Sequence, residues 1–182
     1  MKKFCLFLLK LLRFKPDMEN IPKDDKYVLL FVPHTSMYDF VIGKITLTAM
    51  GVNALFLIKS EAFWWPMGVL LRKLGGIPLN RKNASRFYLY AAEMIREREK
   101  VALLISPEGM RKRNEKWKKG FLFIAEEADV PIYLGYLDYG TRRVGIGKKF
   151  TPTGNHDIDI KAVQENYRGM RGLHKGWFNL ED

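Results

Sequence analysis

A histidine and an aspartate stand at the end of an apolar stretch, at a spacing that suits acid–base chemistry. Residues 26–33 are mostly apolar and end in Pro33; His34 follows at once, and Asp39 follows after four more residues. A histidine with a nearby carboxylate can serve as a general base. The carboxylate fixes the ring tautomer and stabilises the imidazolium that forms. The pair is therefore a candidate catalytic centre.

The same residues have a structural interpretation. Ser36 and Asp39 have the spacing of a capping box, with Ser36 as the N-cap and Asp39 at the third helical position. Asp39 would then accept hydrogen bonds from backbone N–H groups at the start of a helix. His34 would be a loop residue beside a strand end. The spacing alone does not decide between the two interpretations.

Missing motifs narrow the chemistry that the pair could perform. The sequence has no G-x-S-x-G, no H-E-x-x-H and no G-x-x-x-x-G-K-[ST]. Its single cysteine, Cys5, excludes an internal disulfide and a cysteine-based zinc cluster. A base without a paired nucleophile activates an external group, either water or a substrate hydroxyl. No bound metal or cofactor is predicted.

Two further clusters lie where other predicted strands end. The segment SPEGMRKR at 106–113 places Glu108 and Arg111 on either side of Gly109, and Arg111 could bind a phosphate. The segment GGIPLNR at 75–81 ends in Arg81. The alternative for the first segment is a solvated basic loop without a ligand. The alternative for the second is that Arg81 is simply an exposed residue at a strand end.

The elements that must position these residues alternate between strands and helices. The pattern predicts strands near 26–33, 54–58, 76–80, 101–106, 130–139 and 141–150, and helices near 37–50, 84–99, 118–128 and 157–168. It also predicts an apolar, Trp-rich segment at 62–74, interrupted by Pro66. With 182 residues, the chain is expected to form one α/β domain, with a mixed sheet flanked by helices. Open α/β sheets place their sites at the carboxyl ends of strands, which is where His34 lies.

The chain carries a net charge of +11, which indicates a polyanionic partner such as an anionic membrane, a phosphorylated substrate or nucleic acid. Residues 2–14 predict a short basic amphipathic helix, so residues 1–15 are interpreted as a membrane-interface leader and 16–182 as the catalytic domain. The alternative is a first helix packed on the core. No apolar run is long enough to cross a membrane. Trp64 and Trp65 suit a membrane interface or ordinary packing.

Taken together, four segments resemble the motifs of the glycerolipid acyltransferase family, which includes bacterial 1-acylglycerol-3-phosphate acyltransferase. HTSMYD at 34–39 is similar to its H-x-x-x-x-D motif, and GGIPLNR, PEGMR and VPIYLGY resemble its later blocks in the same order. Lys59 stands where the family often has a lysine. Pro33 stands where the family usually has asparagine, and Met110 where it has threonine.

The resemblance implies transfer of a fatty acyl group from a thioester to a lipid hydroxyl. The donor would be acyl carrier protein or coenzyme A, and the acceptor a lysophospholipid such as 1-acylglycerol-3-phosphate, in phospholipid biosynthesis. His34 would be the base and Asp39 its orienting partner. Arg81 and Arg111 would hold the phosphate, and Glu108 with Gly109 would shape the glycerol pocket. Backbone N–H groups near the 34–39 turn would stabilise the oxyanion.

Several functions stay open at this stage. The acceptor could be another lysolipid, such as a lyso-aminolipid, and water as acceptor would make the protein a thioesterase. A basic module that binds membranes or nucleic acid without catalysis is the alternative from another class, although no nucleic-acid motif is found and no nucleic-acid partner is expected. The expected location is the cytoplasmic face of a membrane, as a peripheral protein.

Overall fold

The computed structural model of the protein describes residues 1–79 and 84–181, and within them the chain forms one sheet of seven strands. The strands are β1 (Lys15–Asp17), β2 (Lys26–Val32), β3 (Ala54–Lys59), β4 (Gly76–Leu79), β5 (Val101–Ile105), β6 (Ile132–Asp138) and β7 (Arg143–Phe150). The helices are α1 (Lys2–Leu11), α2 (Tyr38–Met50), α3 (Met67–Lys73), α4 (Ala84–Arg96), α5 (Gly120–Ala128) and α6 (His156–Glu165), with a 3-10 turn at Ser60–Ala62. The predicted mixed α/β fold is confirmed.

Five neighbouring strands of the sheet run parallel. The strand order is β1-β7-β6-β2-β5-β3-β4, and β6, β2, β5, β3 and β4 all point the same way. β7 is antiparallel to β6 and forms a hairpin with it, and β1 pairs with β7 in parallel. The carboxyl ends of the five parallel strands therefore share one edge of the sheet.

The central strand β2 is buried on both faces, because helices cover both sides of the sheet. Its apolar run has no alternation with polar residues, as expected for a central strand of a parallel sheet. Val28, Leu30 and Val32 pack with α4, α5 and α6 on one face. Leu29 and Phe31 pack with α1 and α2 on the other.

The predicted N-terminal helix is present as α1, and it lies against α2. Cys5 and Leu9 are buried, and Leu9 belongs to the core beside α2. Phe4, Phe7 and Leu11 are each at least 60% exposed. The amphipathic membrane role of this helix stays a prediction. None of the helices in the described part of the chain is both long and apolar enough to span a bilayer.

The sequence does not predict β1. Pro16 lies inside this short strand, at the edge of the sheet, where a proline removes no hydrogen bond between interior strands. The Trp-rich segment is interrupted at Pro66, as predicted. The 3-10 turn Ser60–Ala62 precedes Pro66, and α3 begins directly after that proline.

Candidate active site

His34 and Asp39 come together in the turn between β2 and α2. His34 Nδ1 lies 3.4 Å from Asp39 Oδ2, longer than a typical hydrogen bond. The Asp39 side chain is fully buried, whereas the His34 side chain is 28% exposed. Because Nδ1 faces the carboxylate, Nε2 is the ring nitrogen left to meet a substrate.

Asp39 holds the turn that carries the histidine. Its Oδ2 accepts hydrogen bonds from the backbone N–H groups of Thr35 and Ser36, each at 2.7 Å. The predicted capping box is only partly present, because α2 begins at Tyr38 and its N-cap position is Met37. Ser36 Oγ instead accepts from the Tyr38 N–H at 3.2 Å. Asp39 therefore holds the turn with the same oxygen that faces His34.

Tyr139, which the sequence did not indicate, completes the environment of Asp39. Its hydroxyl donates a hydrogen bond to Asp39 Oδ1 at 2.7 Å. Tyr139 follows β6, which lies beside β2 and parallel to it. A polar residue directly after a strand was the signal that could have found it, because the ends of adjacent parallel strands meet at one edge.

Glu108 lies at the turn after β5 and contacts the backbone of the histidine. Its Oε1 accepts a hydrogen bond from the His34 N–H at 3.0 Å. The side chain is 4% exposed, and among the described residues its Oε2 has no hydrogen-bond partner. Burial raises the pKa of Glu108 to about 8, with the nearby charge of Asp39 acting in the same direction and the His34 hydrogen bond opposing. The carboxyl is therefore mostly protonated at neutral pH.

The basic loop after β5 is tied down near Glu108. The Asn114 side chain donates to the Glu108 carbonyl at 2.7 Å, and the Lys118 N–H donates to the Pro107 carbonyl at 2.7 Å. Gly109 has a φ of +71°, a backbone conformation that favours glycine. Arg111 is exposed on this loop.

Of the remaining predicted residues, Lys59 lies at the same edge of the sheet. Lys59 is the last residue of β3, and its side chain is exposed. Arg81 lies outside the described residues, two positions after β4 ends at Leu79. The structure thus joins His34, Asp39 and Glu108 by direct contacts, and it places Lys59, Gly109 and Arg111 where neighbouring parallel strands end.

Residues 170–173 lie against the turn that carries His34. The Leu173 N–H donates to Thr35 Oγ1 at 2.9 Å, and the Arg171 carbonyl accepts from the Tyr139 N–H at 2.9 Å. The Arg171 N–H also donates to Asp138 Oδ1 at 2.9 Å. The segment therefore connects the turn after β2 with the end of β6.

The predicted oxyanion role of backbone N–H groups near the turn stays a prediction, and four of these groups already have partners. The N–H groups of Thr35 and Ser36 point to Asp39, that of His34 to Glu108, and that of Tyr38 to Ser36 Oγ. These four groups hold the turn together through side-chain acceptors. The sequence could not show this, because the competing acceptors are side chains folded back onto the turn.

The geometry is that of a partly exposed histidine beside an anchored carboxylate, at the edge where the five parallel strands of a mixed sheet end. The model of the Acyltransferase family matches residues 14–133, which is more than half of the chain. The chain belongs to the Acyltransferase family, the family of the glycerolipid acyltransferases. No curated protein matches the chain. The protein is therefore an acyltransferase, and the matched region contains the His34–Asp39 pair.

Proposed function

We propose that the protein transfers a fatty acyl group from a thioester to the hydroxyl of a lysophospholipid such as 1-acylglycerol-3-phosphate, in phospholipid biosynthesis. One observation carries the proposal. His34 is partly exposed, while its partner Asp39 is buried and held by three hydrogen-bond donors. Such a pair keeps one ring nitrogen directed outward as a base.

The reaction needs no covalent acyl-enzyme, because the thioester is already activated. His34 Nε2 takes the proton of the acceptor hydroxyl as its oxygen attacks the thioester carbonyl. Asp39 stabilises the imidazolium that forms. The tetrahedral intermediate then breaks its C–S bond, and the leaving thiolate takes the proton from the imidazolium. The products are an ester and a free thiol, and His34 is neutral again.

Cations at the edge of the sheet would hold the acceptor's phosphate. Lys59 and Arg111 are both exposed there, and Arg81 follows the neighbouring strand β4 in sequence. Arginine forms paired hydrogen bonds to phosphate oxygens. The acyl donor is acyl carrier protein or acyl coenzyme A, either of which delivers an anionic carrier to a chain of net charge +11. No resident cofactor takes part.

The acceptor is a lipid, and we propose that the protein meets it as a peripheral protein on the cytoplasmic face of an anionic membrane. Large apolar side chains are exposed beside the catalytic turn and on α1: Phe4, Phe7, Leu11, Met37 and Tyr38 are each at least 60% exposed. Lys2, Lys3, Lys10 and Arg13 add positive charge to the same N-terminal segment. Apolar groups flanked by cations are typical of interfacial helices.

The direct test incubates the purified protein with a labelled acyl thioester and a panel of acceptors. The panel contains lysophosphatidate, a lyso-aminolipid, an unphosphorylated monoacylglycerol and no acceptor. Thiol release is followed together with the mass of the product. Acyl carrier protein and coenzyme A thioesters are compared as donors.

Acyl transfer to lysophosphatidate, with thiol release that depends on it, is the expected result. Equal thiol release without any acceptor would identify a thioesterase and would overturn the proposal. A preference for the lyso-aminolipid would keep the mechanism and change the substrate. Equal transfer to monoacylglycerol would show that the phosphate is not recognised.

A further inference from the structure

The carboxylate of Asp39 is fixed by donors on both of its oxygens. The backbone groups of Thr35 and Ser36 hold Oδ2, which is also the oxygen nearest His34. The Tyr139 hydroxyl holds Oδ1 from the other side. A terminal carboxylate torsion is broad when nothing constrains it, so donors on both oxygens set the direction in which Oδ2 points.

Tyr139 is itself held in place by its neighbours. Its ring meets the ring of Phe14 edge-on, with the centroids 5.3 Å apart. The Arg142 guanidinium lies over both rings, 5.3 Å from that of Phe14 and 5.9 Å from that of Tyr139. The backbone N–H of Tyr139 donates to the Arg171 carbonyl. The hydroxyl therefore reaches Asp39 from a ring with little freedom to move.

The hydroxyl acts as the donor in this pair. Burial raises the pKa of Tyr139 far above its ordinary value, and the hydrogen bond to Asp39 acts in the same direction. The phenol therefore keeps its proton. The neutral hydroxyl orients the carboxylate that faces His34 without adding a charge beside it.

Three tyrosines in or next to β6 donate a hydrogen bond to an aspartate, but only one of these aspartates faces His34. Tyr133 donates to Asp24 and Tyr136 donates to Asp17, whereas Tyr139 donates to Asp39. Tyr133 is near the start of β6, at the end of the strand away from the candidate site. A tyrosine–aspartate hydrogen bond is thus a recurring structural feature of this strand, and the position of its partner separates Tyr139 from the other two.

From these contacts the geometry points to Tyr139 as a positioning residue for acyl transfer, acting through Asp39 to hold His34 in line. The expected effect of Tyr139 on the reaction rate rests on the proposed function. Tyr139 lies after the region matched by the family model, which ends at residue 133. The later part of the chain therefore contributes to the site as well.

The test compares Tyr139→Phe with Tyr133→Phe, which also removes a tyrosine hydroxyl that donates to an aspartate, but at the start of β6 and away from the site. We expect Tyr139→Phe to lower kcat by about ten- to a hundredfold, because a small displacement of a catalytic group is costly. The KM for the thioester should change little, since no donor contact is lost. Tyr133→Phe should leave kcat unchanged.

Two readouts separate positioning from a general loss of structure. When Asp39 is already replaced by Asn, adding Tyr139→Phe should lower kcat by less than about twofold. The reason is that the effect of Tyr139 on kcat passes through Asp39. The ¹⁵N resonances of the histidine rings should show a changed His34 Nδ1 signal in Tyr139→Phe and no change in Tyr133→Phe. The chain has only three histidines, and His34→Gln identifies the signal.

An unchanged His34 Nδ1 signal, or equal loss of turnover with and without Asp39, would overturn the inference. Absence of acyl transfer in the wild-type protein would instead reject the proposed function. The ring signal would then still decide whether Tyr139 positions the pair, because it does not depend on turnover.

Discussion

Glu108 Oε1 accepts a hydrogen bond from the His34 backbone N–H at 3.0 Å, although 74 positions separate the two residues in the chain. The contact ties the turn after β5 to the turn that carries the candidate base. Because burial raises the pKa of Glu108 to about 8, the carboxyl holds the histidine backbone mainly as a neutral acid at pH 7.

The raised pKa of Glu108 predicts a pH-dependent stability. The folded protein binds this proton more tightly than the unfolded chain, whose reference pKa is 4.5. The contribution of Glu108 is therefore fully present below pH 4.5, and it is lost as pH rises through about 8. Glu108→Gln keeps an oxygen that can accept from His34 and removes the titration. Urea unfolding from about pH 5 to about pH 9 should show that the wild type loses stability relative to this variant, on the order of a few kcal/mol.

The difference in unfolding free energy between the two proteins is the quantity to follow, because other groups titrate equally in both. A difference that stays constant across this range would contradict the predicted protonation of Glu108.

Asp39→Asn should separate the structural role of Asp39 from its chemical one. The amide oxygen can accept from Thr35 and Ser36, and the amide nitrogen can donate to the Tyr139 hydroxyl, so the melting temperature should change by only a few degrees. Turnover should fall by about a hundredfold or more, because an amide does not stabilise the imidazolium. Thermal unfolding and initial transfer rates measure the two effects.

Asp159→Asn is the matched control for that substitution. Asp159 is also fully buried, and its Oδ1 accepts from the N–H and the hydroxyl of Thr153, at 2.9 and 2.8 Å. Normal turnover is expected in Asp159→Asn. Normal turnover in Asp39→Asn as well would reduce Asp39 to a residue that only holds the turn.

The exposed phenylalanines of α1 should contribute to membrane binding. Deleting the helix would also remove the buried Leu9, so the substitutions Phe4→Ser and Phe7→Ser are the sharper test. Together they should weaken binding to anionic vesicles by at least about tenfold, with little change in melting temperature. Vesicle co-sedimentation at fixed salt measures this effect.

Leu89→Ser provides the control for the membrane experiment, because Leu89 is 56% exposed on α4, which covers the other face of the sheet. Its vesicle binding should equal that of the wild type. An equal loss in both variants would indicate non-specific apolar adsorption and would argue against a docking role for α1.

Gly172 should tolerate no side chain. A Cβ at this position would lie 2.4 Å from Thr35 Cγ2 and 2.6 Å from Thr35 Oγ1. Gly172→Ala should therefore destabilise the fold by about 1–3 kcal/mol and slow transfer, because Thr35 also donates to Asp39. In a Thr35→Ser background the penalty should shrink, since one clashing methyl group is gone. Strictly additive unfolding free energies would contradict this packing.

The sequence predicts the parts of the fold that local pattern encodes. The apolar run of β2 predicts a central strand because a strand covered on both faces has no polar alternation. β1 could not be predicted in this way. It has three residues, contains Pro16 and forms only by pairing with β7 at the sheet edge.

In the candidate site, too, the sequence predicts the local contacts and does not predict the long-range ones. The spacing of His34 and Asp39 is local, and the turn between strand and helix brings the two side chains together. The contacts of Glu108 with His34 and of Tyr139 with Asp39 join residues that are 74 and 100 positions apart. Such contacts depend on strand order, and the sequence indicates only that these residues follow strands.

His34→Gln tests the central claim most directly, with His156→Gln as its control. His156 is also a partly buried histidine beside a carboxylate, with Nε2 2.8 Å from Glu126 Oε1. The rate of acceptor-dependent thiol release, from the same acyl thioester and lysophosphatidate, is measured for both variants. We predict that His34→Gln loses at least about a hundredfold in rate and keeps its fold, while His156→Gln matches the wild type. A His34→Gln protein that retains more than about a tenth of the wild-type rate would show that His34 is not the base.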